Sequence, residues 1–138
     1  MADVVYDNFK KNVMNGTLNL ASDNITVMLV TSTYTPAQAT HEFKSSVTGE
    51  VVGTGYTARG AVLSAKSVTA SGGKGIFTAA NVTWPTSTIT ARGAVVYEDT
   101  GVDATSALIC YIDFLADKSS SAGNFTISWN AGGIVTLT

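Results

Sequence analysis

The side chains that could carry out chemistry are few in this chain of 138 residues. It has one histidine, His41, and one cysteine, Cys110, so these two residues are the only possible cysteine–histidine catalytic pair. Cys110 lies in the apolar run 107–112, which predicts a buried and unreactive thiol. His41 lies in a weakly patterned segment and is predicted to be a surface residue. The spacings of a nucleophile elbow, a zinc-binding helix and an EF-hand are absent.

Four aspartates of the second half of the chain could pair as acid–base groups or hold calcium: Asp99, Asp103, Asp113 and Asp117. Asp99 and Asp103 bracket a turn, where aspartate is favoured because its side chain bonds the local backbone. Glycoside hydrolysis needs two facing carboxylates, and no spacing selects such a pair. The glycine-rich run 72–75 lacks the order of a phosphate-binding loop and is typical of a hairpin turn. We therefore expect no catalytic residue, cofactor or metal site, and we do not expect an enzyme.

Aromatic side chains are a second possible source of binding chemistry, because a carbohydrate-binding face needs exposed rings. In the segment 125–130, Phe125, Ile127 and Trp129 alternate with polar residues, which predicts that all three face the core. Trp84 precedes Pro85 at the expected end of a strand, and both a buried and an exposed position remain open for it. A carbohydrate-binding module therefore stays an alternative.

Low charge is the strongest compositional signal. Only 13% of the residues are charged, against about 25% in a typical soluble domain. Such a surface presents mainly hydroxyl and amide groups, which favours contact with other proteins. The net charge is −2, and Lys10 and Lys11 form the one adjacent basic pair, so direct binding to nucleic acid is disfavoured. No signal peptide is predicted, and no apolar run is long enough for a membrane span.

The first segment of the chain has the one clear helical pattern, over residues 4–14. Val5, Tyr6, Phe9 and Val13 share one face. Asp3 is predicted to cap the helix and Gly16 to end it. Two interpretations remain open: the helix lies on the chain's own β domain, or it is an arm that packs on a neighbouring subunit. We take these four apolar residues as the candidate protein-contact site.

The rest of the chain reads as strands and turns. The segment 25–31 is apolar on both faces at its centre, which predicts a buried strand. Residues 40–60 are predicted to form a long ordered loop with at most one short strand. Consecutive strands follow from residue 61 onward, the first of them over 61–70. This pattern predicts an all-β fold, an antiparallel β-sandwich or barrel with one short N-terminal helix. We expect a single domain over 1–138, with a helix or arm at 1–16 and a β domain at 17–138.

Several segments carry a resemblance that covers most of the chain: 6–10 (YDNFK), 27–32 (VMLVTS), 34–36 (YTP), 82–84 (VTW), 88–101 (TITARGAVVYEDTG), 111–114 (YIDF), 116–120 (ADKSS) and 125–129 (FTISW). Together they resemble small structural proteins of tailed double-stranded DNA bacteriophages, of the kind encoded near capsid genes. The resemblance is specific for a phage virion protein and less specific for its position in the particle.

The resemblance implies a capsid decoration, or cement, protein on the outer surface of the expanded head. It implies the major capsid protein as partner, self-association, with a trimer as our expectation, and location on the virion after synthesis in the host bacterial cytoplasm. A head fibre base, a connector or a tail structural protein is the alternative within the same class.

Overall fold

The computed structural model describes residues 3–138. It is mostly β, with 44% of residues in strands and 8% in helix, which confirms the predicted all-β class with antiparallel sheets and a short helix near the N-terminus. The elements in chain order are β1 (Val4–Val5), α1 (Asp7–Met14), β2 (Ile25–Val30), a 3-10 turn (Lys44–Ser46), β3 (Ala61–Val62), β4 (Ser67–Ser71), β5 (Lys74–Thr78), β6 (Val82–Ser87), β7 (Thr90–Glu98), β8 (Leu108–Ser119), β9 (Gly123–Ile127) and β10 (Val135–Leu137).

The main sheet has five strands in the order β1-β8-β7-β2-β3. Its antiparallel pair β2–β7 runs in unbroken register from Ile25 opposite Glu98 to Val30 opposite Gly93. All six residues of β2 are buried. This confirms the buried strand that was predicted because the segment is apolar on both faces. A strand that is paired on both edges and covered on both faces is typically apolar on both sides.

Two smaller sheets, β10-β5-β4 and β6-β9, complete the fold. Strands β4 and β5 form a hairpin in which Ser71 pairs with Lys74. The two residues between them, Gly72 and Gly73, have φ angles of 59° and 78°. Positive φ at both central positions defines the tight turn that suits strand twist, and glycine adopts it without steric cost. The predicted hairpin turn is thus confirmed.

The helix is shorter than its apolar pattern predicts. It begins at Asp7, because Val4–Val5 pair with β8 as a strand of the main sheet. Asp3 does not cap it; its carboxylate accepts a 2.8 Å hydrogen bond from the Asp113 amide instead. Gly16 follows the helix with φ +79°, as predicted for its C-terminal end.

Two later boundaries also differ from the prediction. The expected single strand over 61–70 is divided into β3 and β4, and Ala65 between them has a left-handed φ of 52°. Strand β6 continues through Pro85, where we expected it to stop. The register against β9 shifts between Trp84 and Ser87, so the proline lies in a bulge, where a strand tolerates the missing N–H.

Candidate interaction surface

The four predicted contact residues lie on α1 and its approach. Tyr6 and Phe9 are 0% exposed and belong to the chain's own hydrophobic core. The structure therefore corrects the arm interpretation for these two side chains, because neither is accessible to a partner. Val5 and Val13 are half-buried and pack against the same core. Their role as contact residues stays a prediction.

A chain of hydrogen bonds fixes the helix start to the loop after β2. The Tyr6 and Tyr34 hydroxyls are 2.6 Å apart, and the Tyr34 hydroxyl lies 2.9 Å from His41 Nδ1. The rings of Tyr34 and His41 also stack, with centroids 5.7 Å apart. Burial raises the pKa of Tyr34 to about 12, so its hydroxyl stays protonated at neutral pH. His41 is half-buried in this chain of bonds, so the predicted surface residue is only partly exposed.

Two of the aspartates considered above are paired with a guanidinium. Arg59 donates to Asp99, with Nη2 2.6 Å from Oδ1, and to Asp103. These bonds hold the pKa of both carboxyls below their usual range. Lys44 lies 3.5 Å from Asp103 and 3.8 Å from Glu50. The two aspartates are therefore ion-pair partners of Arg59, and Asp103 also lies within ion-pair distance of Lys44.

The ion pairs anchor the loop between β2 and β3 to the main sheet. Glu50 accepts hydrogen bonds of 2.7 Å from both the Tyr56 hydroxyl and the Arg59 amide. The Tyr56 hydroxyl in turn accepts a 3.0 Å bond from the Leu29 amide of β2, and the Tyr97 hydroxyl of β7 donates to the Arg59 carbonyl at 2.6 Å. A long segment with little regular structure is ordered in this way, as predicted.

The remaining reactive groups are occupied or buried. Cys110 is buried as predicted, and burial raises the pKa of its thiol to about 12. Arg92 Nε lies 3.2 Å from the Asp113 carboxylate. Burial and the neighbouring Asp23 carboxyl raise the pKa of Glu98 to about 7. Over residues 3–138, no three His, Cys, Asp or Glu side chains are placed to hold a metal ion.

An uncharged groove lies between α1 and the three-stranded sheet, with a volume of about 340 Å³. We call it the apolar groove. It is lined by two of the predicted contact residues, by the segment after the helix and by the sheet: Phe9, Val13, Gly16, Leu18, Asn19, Leu20, Ala21, Val68, Gly75, Ile76, Phe77, Val135 and Leu137. The sheet residues and the two leucines were missed from the sequence, although the alternation of Leu18 and Leu20 after the helix was a visible signal.

A second groove, of about 560 Å³, lies between the end of β8 and β9; its walls include Phe114, Asn124, Trp129 and Asn130. We call it the Trp129 groove. The Trp129 indole donates a 2.9 Å bond to the Ala80 carbonyl.

The prediction that Phe125, Ile127 and Trp129 face the core is confirmed. Phe125 and Ile127 are buried in the core, and Trp129, just beyond the end of β9, is half-buried and packs against the same core. Trp84 is buried, with its ring 5.8 Å from that of Tyr56 and 6.2 Å from that of Phe125. It is therefore not part of an exposed sugar-binding face.

No family model, curated protein or solved structure matches this chain. In the described part of the chain, α1 is the single α-helix, and no helix has the length and apolar character of a membrane span. The properties established for this protein are therefore its antiparallel all-β fold and the geometry of its surface.

Proposed function

We propose that this protein is a bacteriophage virion structural protein: a capsid decoration, or cement, protein that binds the outer surface of the expanded head. The observation that carries the proposal is the apolar groove, which has no charged residue in its lining in a chain that is only 13% charged. Such a surface suits a lasting contact with another protein. The resemblance of most of the chain to small phage structural proteins supports the same function.

The mechanism is preferential binding to one state of the shell. A protein that binds the expanded shell and not its immature form stabilises the expanded form by mass action. Ordinary protein contacts bury roughly 800 Å² on each partner. In this proposal the apolar groove receives apolar side chains of the major capsid protein and supplies the centre of that contact.

Quantitative mass spectrometry of purified particles tests the position of the protein. A decoration protein is expected at a fixed ratio to the major capsid protein, with copies over the whole shell. A ratio that corresponds to a dozen copies or fewer would contradict decoration and would favour the alternative, a head fibre base, connector or tail protein.

Charge substitutions test the groove itself. Val13→Asp places a carboxylate in the groove lining. We expect this variant to lose binding to expanded particles in a co-sedimentation assay. Leu115→Asp is the matched control, because Leu115 is 73% exposed on β8 and does not line the groove. If folded Val13→Asp protein decorates particles as well as the control does, the groove is not the contact.

The Trp129 groove favours one further candidate function, a carbohydrate-binding module on the virion. Its walls combine aromatic Trp129 and Phe114 with the amides of Asn124 and Asn130. Rings that present a face to sugars, with amides that bond hydroxyl groups, are a common arrangement in ligand sites. Glycan binding that is lost in Trp129→Ala would support this function, and a blank glycan array would remove it.

A further inference from the structure

Strand β4 forms one edge of the three-stranded sheet β10-β5-β4. Its sequence is Ser67-Val68-Thr69-Ala70-Ser71, and all but the first residue are exposed. No strand within residues 3–138 pairs with its outer side. Proteins usually protect such an edge with charges, proline or a bulge, because its free N–H and C=O groups pair readily with another strand. This edge has none of these within its five residues.

The register of the hairpin shows which backbone groups of β4 are free. Ser71 and Lys74 flank a two-residue turn and so form a hydrogen-bonded pair, after which bonded and non-bonded pairs alternate. Val68 lies opposite Phe77, whose carbonyl accepts a 2.7 Å bond from Ile134 on the far side of β5. The N–H and C=O groups of Val68 therefore point away from β5. By the same alternation, the N–H and C=O groups of Ala70 also point away from β5.

We propose that the outer edge of β4 pairs with β4 of a second copy of this chain, antiparallel and about a two-fold axis at Thr69. The strand reads almost the same in both directions, so serine lies opposite serine and Val68 opposite Ala70 of the second copy. The outward groups of Val68 and Ala70 then bond to each other, and the two Thr69 residues form the non-hydrogen-bonded pair at the axis.

Self-complementarity makes a second copy the fitting occupant. No charged residue lies within the paired segment, so like charges do not oppose each other, and threonine opposite threonine is a favourable cross-strand pair. A two-fold contact of this kind closes on itself and does not propagate. The proposal does not depend on decoration of a capsid, and it is tested on the purified protein alone.

The size of the contact sets the expected affinity. Pairing over five residues buries less than the roughly 1,600 Å² of a standard interface. We therefore expect a weak and reversible dimer, as for other contacts below the standard size. Sedimentation velocity from low to high micromolar protein measures it. A single monomeric species over that whole range would overturn the proposal, and so would the trimer that the resemblance to phage proteins implies.

Two valines of similar exposure provide a matched pair of substitutions. Val68 is 52% exposed on β4, and Val62 is 60% exposed on β3, an edge of the other sheet. A lysine on an edge strand opposes pairing with another strand. We expect Val68→Lys to abolish the dimer and Val62→Lys to leave it unchanged. Equal dimerisation of the two folded variants would show that β4 is not the interface.

Cysteine cross-linking tests the register. At the proposed axis the two Thr69 Cα atoms lie about 4.5 Å apart, as in any non-hydrogen-bonded pair, within the range that a disulfide bridges. The two Ser67 residues would lie about 13 Å apart, four residues along the strands. We expect Thr69→Cys to form disulfide dimers rapidly under oxidation and Ser67→Cys not to form them. Native Cys110 is buried and does not interfere. Faster cross-linking through Ser67→Cys would refute the two-fold register.

Amide hydrogen exchange gives a readout without any substitution. The Val68 and Ala70 amides should exchange rapidly in dilute protein and slow down as the concentration rises. The Thr69 amide, which points to β5, should be protected equally at every concentration. A concentration-independent exchange rate at Val68 and Ala70 would contradict the pairing.

Discussion

Replacing Phe9 by alanine tests whether α1 belongs to the protein's own core. Phe9 is 0% exposed, and truncation of a buried phenylalanine to alanine costs about 3–5 kcal/mol. Because Phe9 also borders the apolar groove, the vacated space opens into an existing one, and the chain around it can relax. We therefore expect a loss of about 3 kcal/mol in the free energy of unfolding, at the lower end of that range.

That loss leaves a folded protein that melts earlier. Domains of this size unfold with a free energy of about 5–15 kcal/mol, so most of the Phe9→Ala variant should remain native at 25 °C. Its Tm should fall by about 10 °C. Urea and thermal unfolding followed by circular dichroism measure both quantities.

Met14→Ala is the matched control on the same helix. Met14 is 88% exposed, and truncation of an exposed side chain changes stability by about 0.5 kcal/mol or less. If Phe9→Ala is as stable as this control, α1 does not contribute its apolar face to the core. The helix would then be a detachable arm, and the reasoning from its burial would be refuted.

Three further predictions concern the sheet and its charges. A Cβ at Gly93 would meet the Tyr111 ring at 2.6 Å, so Gly93→Ala should cost about 1–3 kcal/mol by overpacking, which urea unfolding measures. The hydrogen bond from Arg59 lowers the pKa of Asp99. The stability that this bond contributes is present at neutral pH and is lost as pH falls through the lowered pKa. Acid titration should therefore destabilise the Asp99→Asn protein less than the native protein. For Glu98 the pKa is raised to about 7, so its charge becomes destabilising as pH rises through that value. Glu98→Gln should therefore be more stable than the native protein at pH 8, by about 1 kcal/mol after allowance for solvent screening, and this difference should shrink toward pH 5.

Local pattern alone was enough to predict several elements. The apolar run of β2, the glycine pair between β4 and β5, and the alternation of Phe125 with Ile127 each specify a side-chain direction or a backbone angle within a few residues. Those properties depend on the period of the strand and on the conformations that a residue type allows. These core positions and the hairpin could therefore be predicted from the sequence alone, without any tertiary contact.

The same local pattern did not identify the partner of each face. The apolar stripe of α1 fits its own core as well as a neighbouring subunit, and burial of Tyr6 and Phe9 decided between them for those two residues. Likewise, Asp99 and Asp103 as a sequence pair are compatible with a metal or a turn, until the fold brings Arg59 to them across about 40 residues of chain.

Tertiary structure also created the surfaces from which the proposals start. The apolar groove combines the helix, the segment after it and three strands. The free edge of β4 results from the strand order β10-β5-β4, in which β4 comes last. Sequence specifies which side of an element is apolar, because that is set by residue spacing. What covers that side is set by the packing of distant segments, which spacing does not encode.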